Sequence, residues 1–213
     1  MTEEQKTWTL DDRARASNPG DLHVDFVHWF RQYPKWPSIW LGGLVLFVVL
    51  ANRTHWAFWL LALVLLGMNW LYWRRIQDHF RHGDANPALV VSSGPMLIAV
   101  ATDLSKDVDG RYPALKIFQK QLPALDGHEV RIGTRIATVS LYSPSPDDVP
   151  YWSDFDPRPV NCATRDLGDI QAILQRFPGE DWQHLERMIE AAPKPLAPGL
   201  YEMWVDNGEE CAN

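Results

Sequence analysis

The chain has 213 residues and a formal net charge of −7, with 11 tryptophans and only 2 cysteines. The acidic excess lies after position 75, where 12 Lys and Arg oppose 21 Asp and Glu, a net charge of −9. Nucleic acids and anionic lipid surfaces require clustered basic residues, so this part of the chain is not expected to bind either of them. The two cysteines, Cys162 and Cys211, form no Cys-x-x-Cys motif, and the reduced state is expected in the cytoplasm.

The first 20 residues predict a polar arm that ends at Asn18-Pro19-Gly20, a turn-forming sequence. Residues 21–35 predict an amphipathic helix that Asp21 caps and Pro34 ends. Its apolar face contains Leu22, Phe26, Trp29, Phe30 and Tyr33. This helix is expected to lie in a membrane interface or to dock on the soluble domain. His23 and His28 are five positions apart, so they are interpreted as interfacial polar residues rather than metal ligands.

Residues 36–75 contain two apolar runs, 38–51 and 56–73, separated by Asn52-Arg53-Thr54-His55. Neither run contains a charged residue, and tryptophans lie near both ends of the hairpin, which is typical of a transmembrane helical hairpin. At 1.5 Å per residue the second run spans about 27 Å, but the first spans only about 21 Å of a hydrocarbon core of roughly 30 Å. A re-entrant hairpin that does not fully cross is therefore an alternative interpretation.

The charges around the hairpin predict its orientation. A single arginine, Arg53, lies in the connection, whereas five basic residues flank the two outer ends: Arg31, Lys35, Arg74, Arg75 and Arg81. Because basic residues favour the cytoplasmic side, both termini and the soluble domain are expected in the cytoplasm.

The short connection makes the two helices antiparallel neighbours and pairs each position i with about position 107 − i. This register places Trp40 opposite Gly67, where a large ring could fill a notch, and Ser38 opposite Asn69, where a hydroxyl could meet an amide. Gly42 and Gly43 indicate either a flexible helix or a close-packing face. The candidate packing residues of the hairpin are Ser38, Trp40, Gly42, Gly43, Gly67 and Asn69.

Residues 76–86 predict a linker helix that continues the second apolar helix, with the helical pattern running over 74–85. Residues 87–205 predict a soluble α+β domain, and residues 206–213 a tail. The predicted strands are 88–92, 96–103, 114–121, 129–132, 135–142 and 200–205; the predicted helices are 166–177 and 179–192. Between them, residues 143–159 predict a proline-rich loop. The fold class is therefore α+β: a transmembrane hairpin followed by a small antiparallel sheet or barrel, of SH3-like or oligonucleotide-binding-fold size, with two amphipathic helices.

No combination of residues predicts a catalytic, cofactor or metal site. Four aspartates, Asp147, Asp148, Asp154 and Asp156, lack the spacing of an EF-hand loop. The group formed by Asp78, His79, His82 and Asp84 is interpreted as an exposed helix end rather than a metal site. Cys162 would need a neighbouring base to act as a nucleophile, and a buried structural cysteine is the favoured interpretation.

The segment 151–164 is the densest part of the sequence in aromatic and acidic residues. Its aromatic residues are interpreted as the anchor of an irregular segment or as an exposed binding patch. The candidate interaction residues are Trp152, Asp154, Phe155 and Asp156.

Three pieces of sequence carry a family resemblance: the run from Tyr151 to Pro157, the groups Pro159-Val160 and Cys162-Ala163-Thr164, and the later Pro198-Gly199-Leu200-Tyr201. Together with the two helices between them, they resemble a bacterial family known as domain of unknown function 3239, over residues 87–204. The resemblance implies a bacterial source and a soluble domain carried behind membrane helices. It implies no activity and no catalytic residues.

The sequence therefore predicts a non-catalytic accessory or scaffold protein of a bacterial inner-membrane complex. Its expected partners are the lipid bilayer and other membrane protein subunits, with no nucleic acid and no cofactor. Two alternatives remain open. One is a membrane-proximal enzyme that uses Cys162 or the pair Asp154 and Asp156, and the other is an immunity or regulatory protein that binds a basic partner.

Overall fold

The computed structural model describes residues 16–106, 112–124 and 130–203. Most of the predicted polar arm, the predicted tail and Cys211 lie outside these residues. The described helices are α1 (Phe26–Gln32), α2 (Lys35–Arg53), α3 (Phe58–His82), α4 (Val160–Ala163), α5 (Leu167–Leu174) and α6 (Gly179–Ala191). The strands are β1 (Asp84–Ser93), β2 (Met96–Asp103), β3 (Pro113–Gln119), β4 (Arg135–Ser143), β5 (Asp154–Pro159) and β6 (Gly199–Glu202).

The six strands form one antiparallel sheet in the order β5-β4-β1-β2-β3-β6. Alternation of apolar residues explains the central strands: Val90, Ile98, Leu115 and Ile136 are all essentially inaccessible to solvent. Because the chain passes from β1 to β2 and on to β3 by adjacent antiparallel pairing, most of the sheet is a simple meander. The α+β class is as predicted.

The sheet curls until its β5 edge approaches β2 and β3. The Lys116 ammonium on β3 lies 2.8 Å and 2.9 Å from the two carboxylate oxygens of Asp154 on β5 and also donates to the Phe155 carbonyl. Next to this contact, the Trp152 N–H donates to the Leu104 carbonyl at 2.7 Å. These bonds join strands that are not neighbours in the sheet, so the sheet is partly closed into a barrel.

Helices α5 and α6 cover the sheet. Helix α6 contacts β1, β2 and β3, and it buries Trp182, Leu185 and Met188 on one face. Helix α5 contacts β4, and its first turn is capped by Asp166, whose carboxylate accepts from the Gly168 N–H at 2.8 Å. The helical periodicity correctly predicts both of these elements to within a few residues.

The first helix starts later than predicted. It spans Phe26–Gln32, and Asp25 rather than Asp21 is its cap, accepting from the Val27 and His28 N–H groups. Asp21 has a φ of 47°, in the left-handed region, and its N–H donates to the Arg81 carbonyl, so it belongs to a non-helical segment bound to α3. Apolar spacing alone does not distinguish such a segment from a helix.

Strand β5 lies inside the predicted proline-rich loop. It buries Phe155, Pro157 and Pro159, which alternate along the strand, and it is an edge strand, where prolines can be accommodated. The predicted strand 129–132 is not observed in its described residues 130–132, which lead into a turn at Gly133. The other predicted strands are present. Strand β2 has the predicted first and last residues, whereas the ends of the others are shifted.

Helices α2 and α3 form an antiparallel helical hairpin. Helix α2 is 19 residues long, about 28 Å, because it adds residues 35–37 and 52–53 to the predicted run 38–51. Helix α3 is 25 residues long and continues beyond Arg75 to His82. The predicted linker helix, 76–86, is therefore the last part of α3, and it ends at His82, four residues early, because β1 starts at Asp84.

Candidate functional site

The joint between the hairpin and the curled sheet is built on the last turns of α3. Residues 17–24, here called the N-terminal strap, run beside it. The N–H groups of Gly20, Asp21 and Leu22 donate to the carbonyls of Gly83, Arg81 and Phe80 at 2.9, 3.0 and 3.2 Å. These are the carbonyls that a helix end leaves without partners, so the strap caps α3.

Side chains reinforce the strap on both sides. The Gln77 amide accepts from the Val24 N–H at 3.1 Å and donates to the Leu22 carbonyl at 2.9 Å. Arg176 donates to the Pro19 carbonyl at 2.8 Å. The strap is therefore held to α3 by main-chain and side-chain bonds together, and the hairpin leaves the domain as a continuous helix.

A polar cluster lies where the strap enters the sheet. The buried Asp84 carboxylate accepts from the Asn18 N–H at 2.9 Å, the Tyr142 hydroxyl at 2.9 Å and the Asn86 amide at 3.1 Å. Thr102 bonds both Tyr142, at 2.7 Å, and Asn86, at 3.1 Å. Burial raises the pKa of Asp84 and also raises the pKa of Tyr142. The four side chains and the strap thus form one connected network inside the sheet, in which the buried Asn86 Oδ1 alone is without a hydrogen-bond partner in the described chain.

His79 lies on the opposite side of the same joint. Its Nε2 lies 2.7 Å from the Val139 carbonyl and therefore carries the proton, whereas its buried Nδ1 has no hydrogen-bond partner within the described chain. Burial lowers the pKa of His79 to about 3. His79 and Asp84 are buried, so the predicted exposed helix end is wrong: α3 is covered there by the strap and by β4.

We expect acid to weaken this joint through His79. The pKa of His79 is lower in the folded chain than in the unfolded chain, where it is 6.5. The contribution of neutral His79 to stability is therefore complete above pH 6.5 and is lost as the pH falls towards 3. At roughly 1.4 kcal/mol per pH unit, the loss at about pH 5 is about 2 kcal/mol.

Urea unfolding of the full chain in mild detergent at about pH 7 and pH 5 measures this loss. The variant His79→Gln can still donate to the Val139 carbonyl but does not titrate, and it should show a correspondingly smaller dependence on pH. An identical pH dependence in both proteins would contradict the assignment.

The aromatic and acidic segment does not form an exposed patch. Trp152 and Phe155 are buried in the core beside Tyr142, with ring centroids 6.3 and 6.4 Å from it. Asp154 is paired with Lys116, and Asp156 lies 2.9 Å from the Arg158 guanidinium. The aromatic residues of this segment therefore anchor β5, and its carboxylates hold basic side chains of the same domain.

Cys162 is fully buried in the short helix α4, as the sequence predicts. Burial raises the pKa of its thiol to about 11, so the nucleophilic thiolate is scarce at neutral pH. His28, from α1, reaches the same helix and its Nε2 donates to the Asn161 carbonyl at 2.9 Å. His28 is thus a buried docking residue, which corrects its interpretation as an interfacial polar residue.

The surface of the hairpin is apolar. Of the described helices, one, Lys35–Arg53, is long and apolar enough to cross a membrane, and very little of it is buried. In α3 the apolar residues 58–73 are followed at once by Arg74 and Arg75, and the prediction that both helices cross stays a prediction. Large apolar side chains on both helices are about half exposed or more, including Val45, Leu46, Leu60, Leu63 and Val64.

Side chains at the connection of the hairpin bond to the last turns of α2. Asn52 donates to the Val48 carbonyl at 2.8 Å and the Thr54 hydroxyl donates to the Leu50 carbonyl at 2.7 Å. The Leu50 carbonyl also accepts from the Thr54 N–H at 2.8 Å. The polar side chains of the tip are therefore engaged with the main chain of α2.

The contacts between α2 and α3 lie within two residues of the predicted register. The Phe47 and Phe58 rings stack at 6.0 Å, and a Cβ built on Gly43 would lie 3.1 Å from Leu65. A Cβ on Gly42 or Gly67 meets no atom within 4 Å.

The Trp40 ring stacks on the Trp36 ring, with centroids 6.3 Å apart. Within the described chain no hydrogen bond joins the Ser38 and Asn69 side chains. The pairings of Trp40 with Gly67 and of Ser38 with Asn69 stay predictions.

Concave sites are small in the described part of the chain. A shallow groove of about 270 Å³ lies between β4 and the helices, lined by Arg135, Gln171, Leu174, Gln175 and Trp182. None of the candidate interaction residues lines it. Across residues 16–106, 112–124 and 130–203, no three His, Cys, Asp or Glu side chains come together in a group that could hold a metal ion.

The sequence interpretation missed the joint itself. His79, Asp84 and Asn86 are close together in sequence, but Thr102 and Tyr142 come from other strands and meet them only when the sheet forms. The local signal that was available is the polar character of Asp84 and Asn86 next to a strongly apolar strand.

Comparisons with known proteins identify the family of the chain. A search of the curated proteins finds no match. A crystal structure described as that of a "putative membrane protein" from Corynebacterium diphtheriae is similar, with 23% identity and a TM-score of 0.49, over 56% of this chain and 100% of that one. The family model described as protein of unknown function (DUF3239) matches residues 73–192, from the end of the hairpin to the end of α6. The chain therefore belongs to the DUF3239 family.

Proposed function

We propose that the chain is a membrane-anchored, non-catalytic accessory or scaffold protein of a bacterial inner-membrane complex. The observation that carries the proposal is the hairpin: it exposes apolar side chains on all sides and is joined to the curled sheet by the uninterrupted helix α3. Exposed apolar surface of this extent must be shielded from water, and a lipid bilayer matches the length and composition of α2.

The continuous helix also supports a scaffold role. Ile76 and Phe80 of α3 are buried in the domain, and the strap caps the helix end. A helix held in this way fixes the domain relative to the hairpin more firmly than a flexible linker would. The domain would then present one constant face to other subunits at the membrane surface.

The alternative of an enzyme has less support. It needs Cys162 or the carboxylates of Asp154 and Asp156 exposed in a concave site. Cys162 is fully buried, and each carboxylate is paired with a basic side chain on the surface of the domain. These features favour a structural role for the three residues.

Membrane extraction tests the anchor. The full chain should remain in bacterial membranes after washing with alkaline carbonate, whereas the double variant Val45→Lys, Leu63→Lys should become soluble. Each lysine at the centre of a membrane helix costs about 2.5–3.5 kcal/mol. The control variant Ile132→Lys changes an apolar residue that is 63% exposed on the domain, and it should stay in the membrane. Release of the unchanged protein by the wash would contradict the proposal.

Purification in mild detergent tests the accessory role. A tag at the C-terminus of the full chain should recover at least one membrane protein at stoichiometric level, and the same protein should remain bound after exchange into a second mild detergent. Recovery of this chain alone, as a monomer or homo-oligomer, would contradict an obligate role in a complex.

A further inference from the structure

Helix α1 lies at the level where the apolar part of α3 ends. The Trp29 indole N–H donates to the Tyr72 hydroxyl at 3.0 Å, and the strap immediately before α1 is bound to Gln77. Arg74 and Arg75 lie between these two contacts. If the hairpin occupies a bilayer, α1 is therefore placed at the headgroup layer, beside the point where α3 leaves the membrane.

One face of α1 is buried and the other exposes apolar side chains. His28 and Trp29 face the domain, whereas Phe26 is 43% exposed and Val27 is 60% exposed. The Phe26 ring lies 5.1 Å from the Trp73 ring, so the exposed surface of α1 continues into the aromatic end of the hairpin. The buried face already accounts for docking, and the exposed pair is left as apolar surface next to the proposed membrane.

Basic residues flank this apolar surface along the chain. Arg31 lies on α1, Lys35 begins α2, and Arg74 and Arg75 directly follow Trp73; all four are exposed. Two of them lie over tryptophan rings: the Lys35 ammonium is 5.6 Å from the Trp36 centroid, and the Arg74 guanidinium is 5.3 Å from the ring of Trp70. Cationic and aromatic side chains in such pairs suit the phosphate and ester layer of a bilayer.

The acidic groups nearby are already engaged. Asp25 caps α1 and lies 3.2 Å from Arg165, and Asp78 lies 3.6 Å from Arg74. The net negative charge of the chain is carried elsewhere in the domain. The junction is therefore locally basic although the protein as a whole is acidic.

We propose that α1 and the base of the hairpin form a binding surface for anionic phospholipid headgroups, with Phe26 and Val27 inserted between lipids and Arg31, Lys35 and Arg75 bound to their phosphates. This inference rests on the proposed insertion of the hairpin. It assigns to α1 a second role besides docking on the domain: it sets the depth and tilt of the domain at the membrane surface.

A fluorescent label tests the depth of α1. Variants with one accessible cysteine, Val27→Cys, Leu63→Cys and Ile132→Cys, are made with Cys211→Ser, while Cys162 stays buried in the domain. The full chain is reconstituted in vesicles of phosphatidylcholine and phosphatidylglycerol. The labels at positions 27 and 63 should be shielded from a water-soluble quencher, and the label at 132 should be quenched. Shielding at 63 with full quenching at 27 would overturn the inference alone, whereas quenching at both would overturn the anchor as well.

A second readout tests the preference for anionic lipid. Protein extracted in mild detergent from the mixed vesicles should retain phosphatidylglycerol in preference to phosphatidylcholine. The variant Arg31→Gln, Lys35→Gln should lose that preference by roughly fivefold for each neutralised side chain, and the surface variant Arg135→Gln, remote in sequence from the junction, should keep it. Equal retention of the two lipids by the unchanged protein would overturn the inference.

Discussion

Replacing Asp84 by alanine is expected to lower the free energy of unfolding of the domain by about 3 kcal/mol. The carboxylate accepts from the Asn18 N–H, the Tyr142 hydroxyl and the Asn86 amide, and all of these groups lie in or beside the buried network. A hydrogen bond to a charged group contributes about 1.5–3 kcal/mol, and the relief of burying a carboxylate offsets part of the loss. The strap should loosen at the same time, since Asn18 loses its partner.

Urea unfolding followed by circular dichroism in mild detergent measures this change. Asp148→Ala, at an exposed aspartate, is the matched control and should change the free energy of unfolding by less than about 0.5 kcal/mol. Hydrogen exchange of the Asn18 and Gly20 amides should accelerate in Asp84→Ala only. Unchanged stability in Asp84→Ala would show that the network does not hold the joint together.

Replacing Gly83 by alanine is expected to destabilise the joint by about 3 kcal/mol. An added Cβ would lie 2.5 Å from the His79 carbonyl oxygen and 2.8 Å from that of Ser140. Both are main-chain atoms held in hydrogen-bonded elements, so neither can move without displacing the end of α3 or β4. Overpacking that forces such shifts typically costs about 1–3 kcal/mol.

The matched control for this change is Gly179→Ala. A Cβ on Gly179 meets no atom within 4 Å, so this variant should be as stable as the unchanged protein. The measurement is the same urea titration, together with limited proteolysis between the hairpin and the domain. A stable and protease-resistant Gly83→Ala protein would mean that the close approach of α3 to β4 is not required.

Local patterns in the sequence predict the separate elements well. The period of the apolar residues predicts α5 and α6, and alternation predicts β2 with its exact ends, Met96–Asp103. The two uninterrupted apolar runs predict the hairpin as a pair of helices. These features depend on residues close together in the chain, which is why they can be read without the structure.

The features that the sequence does not predict depend on tertiary contacts. Pro157 and Pro159 make the sequence of β5 typical of a loop. They are accommodated in the strand because β5 lies at the edge of the sheet. The helical spacing of Leu22 is fortuitous, since residues 17–24 are bound as a strap to α3. The burial of His79 depends on the Val139 carbonyl, 60 positions away in the chain.

The same distinction applies to the candidate site. Burial of Cys162 is predicted because a small cysteine without a neighbouring base is typically structural. The partner of Asp154 is not predicted, because Lys116 lies on another strand and meets Asp154 only when the sheet curls. The joint between the hairpin and the domain supports the proposed function. It could not be predicted from local sequence, because its residues come from several elements that meet only in the folded chain.

The orientation of the hairpin in the membrane is tested most directly by labelling introduced cysteines in intact cells and in opened cells. Thr54→Cys, at the tip of the hairpin, and Ile132→Cys, on the domain, are each made with Cys211→Ser and treated with a membrane-impermeant thiol reagent. We predict labelling at position 54 from outside the inner membrane and labelling at position 132 only after the cells are opened. Protection of position 54 with labelling of 132 from outside would contradict the proposed orientation, and protection of both in intact cells would contradict a hairpin that crosses the membrane.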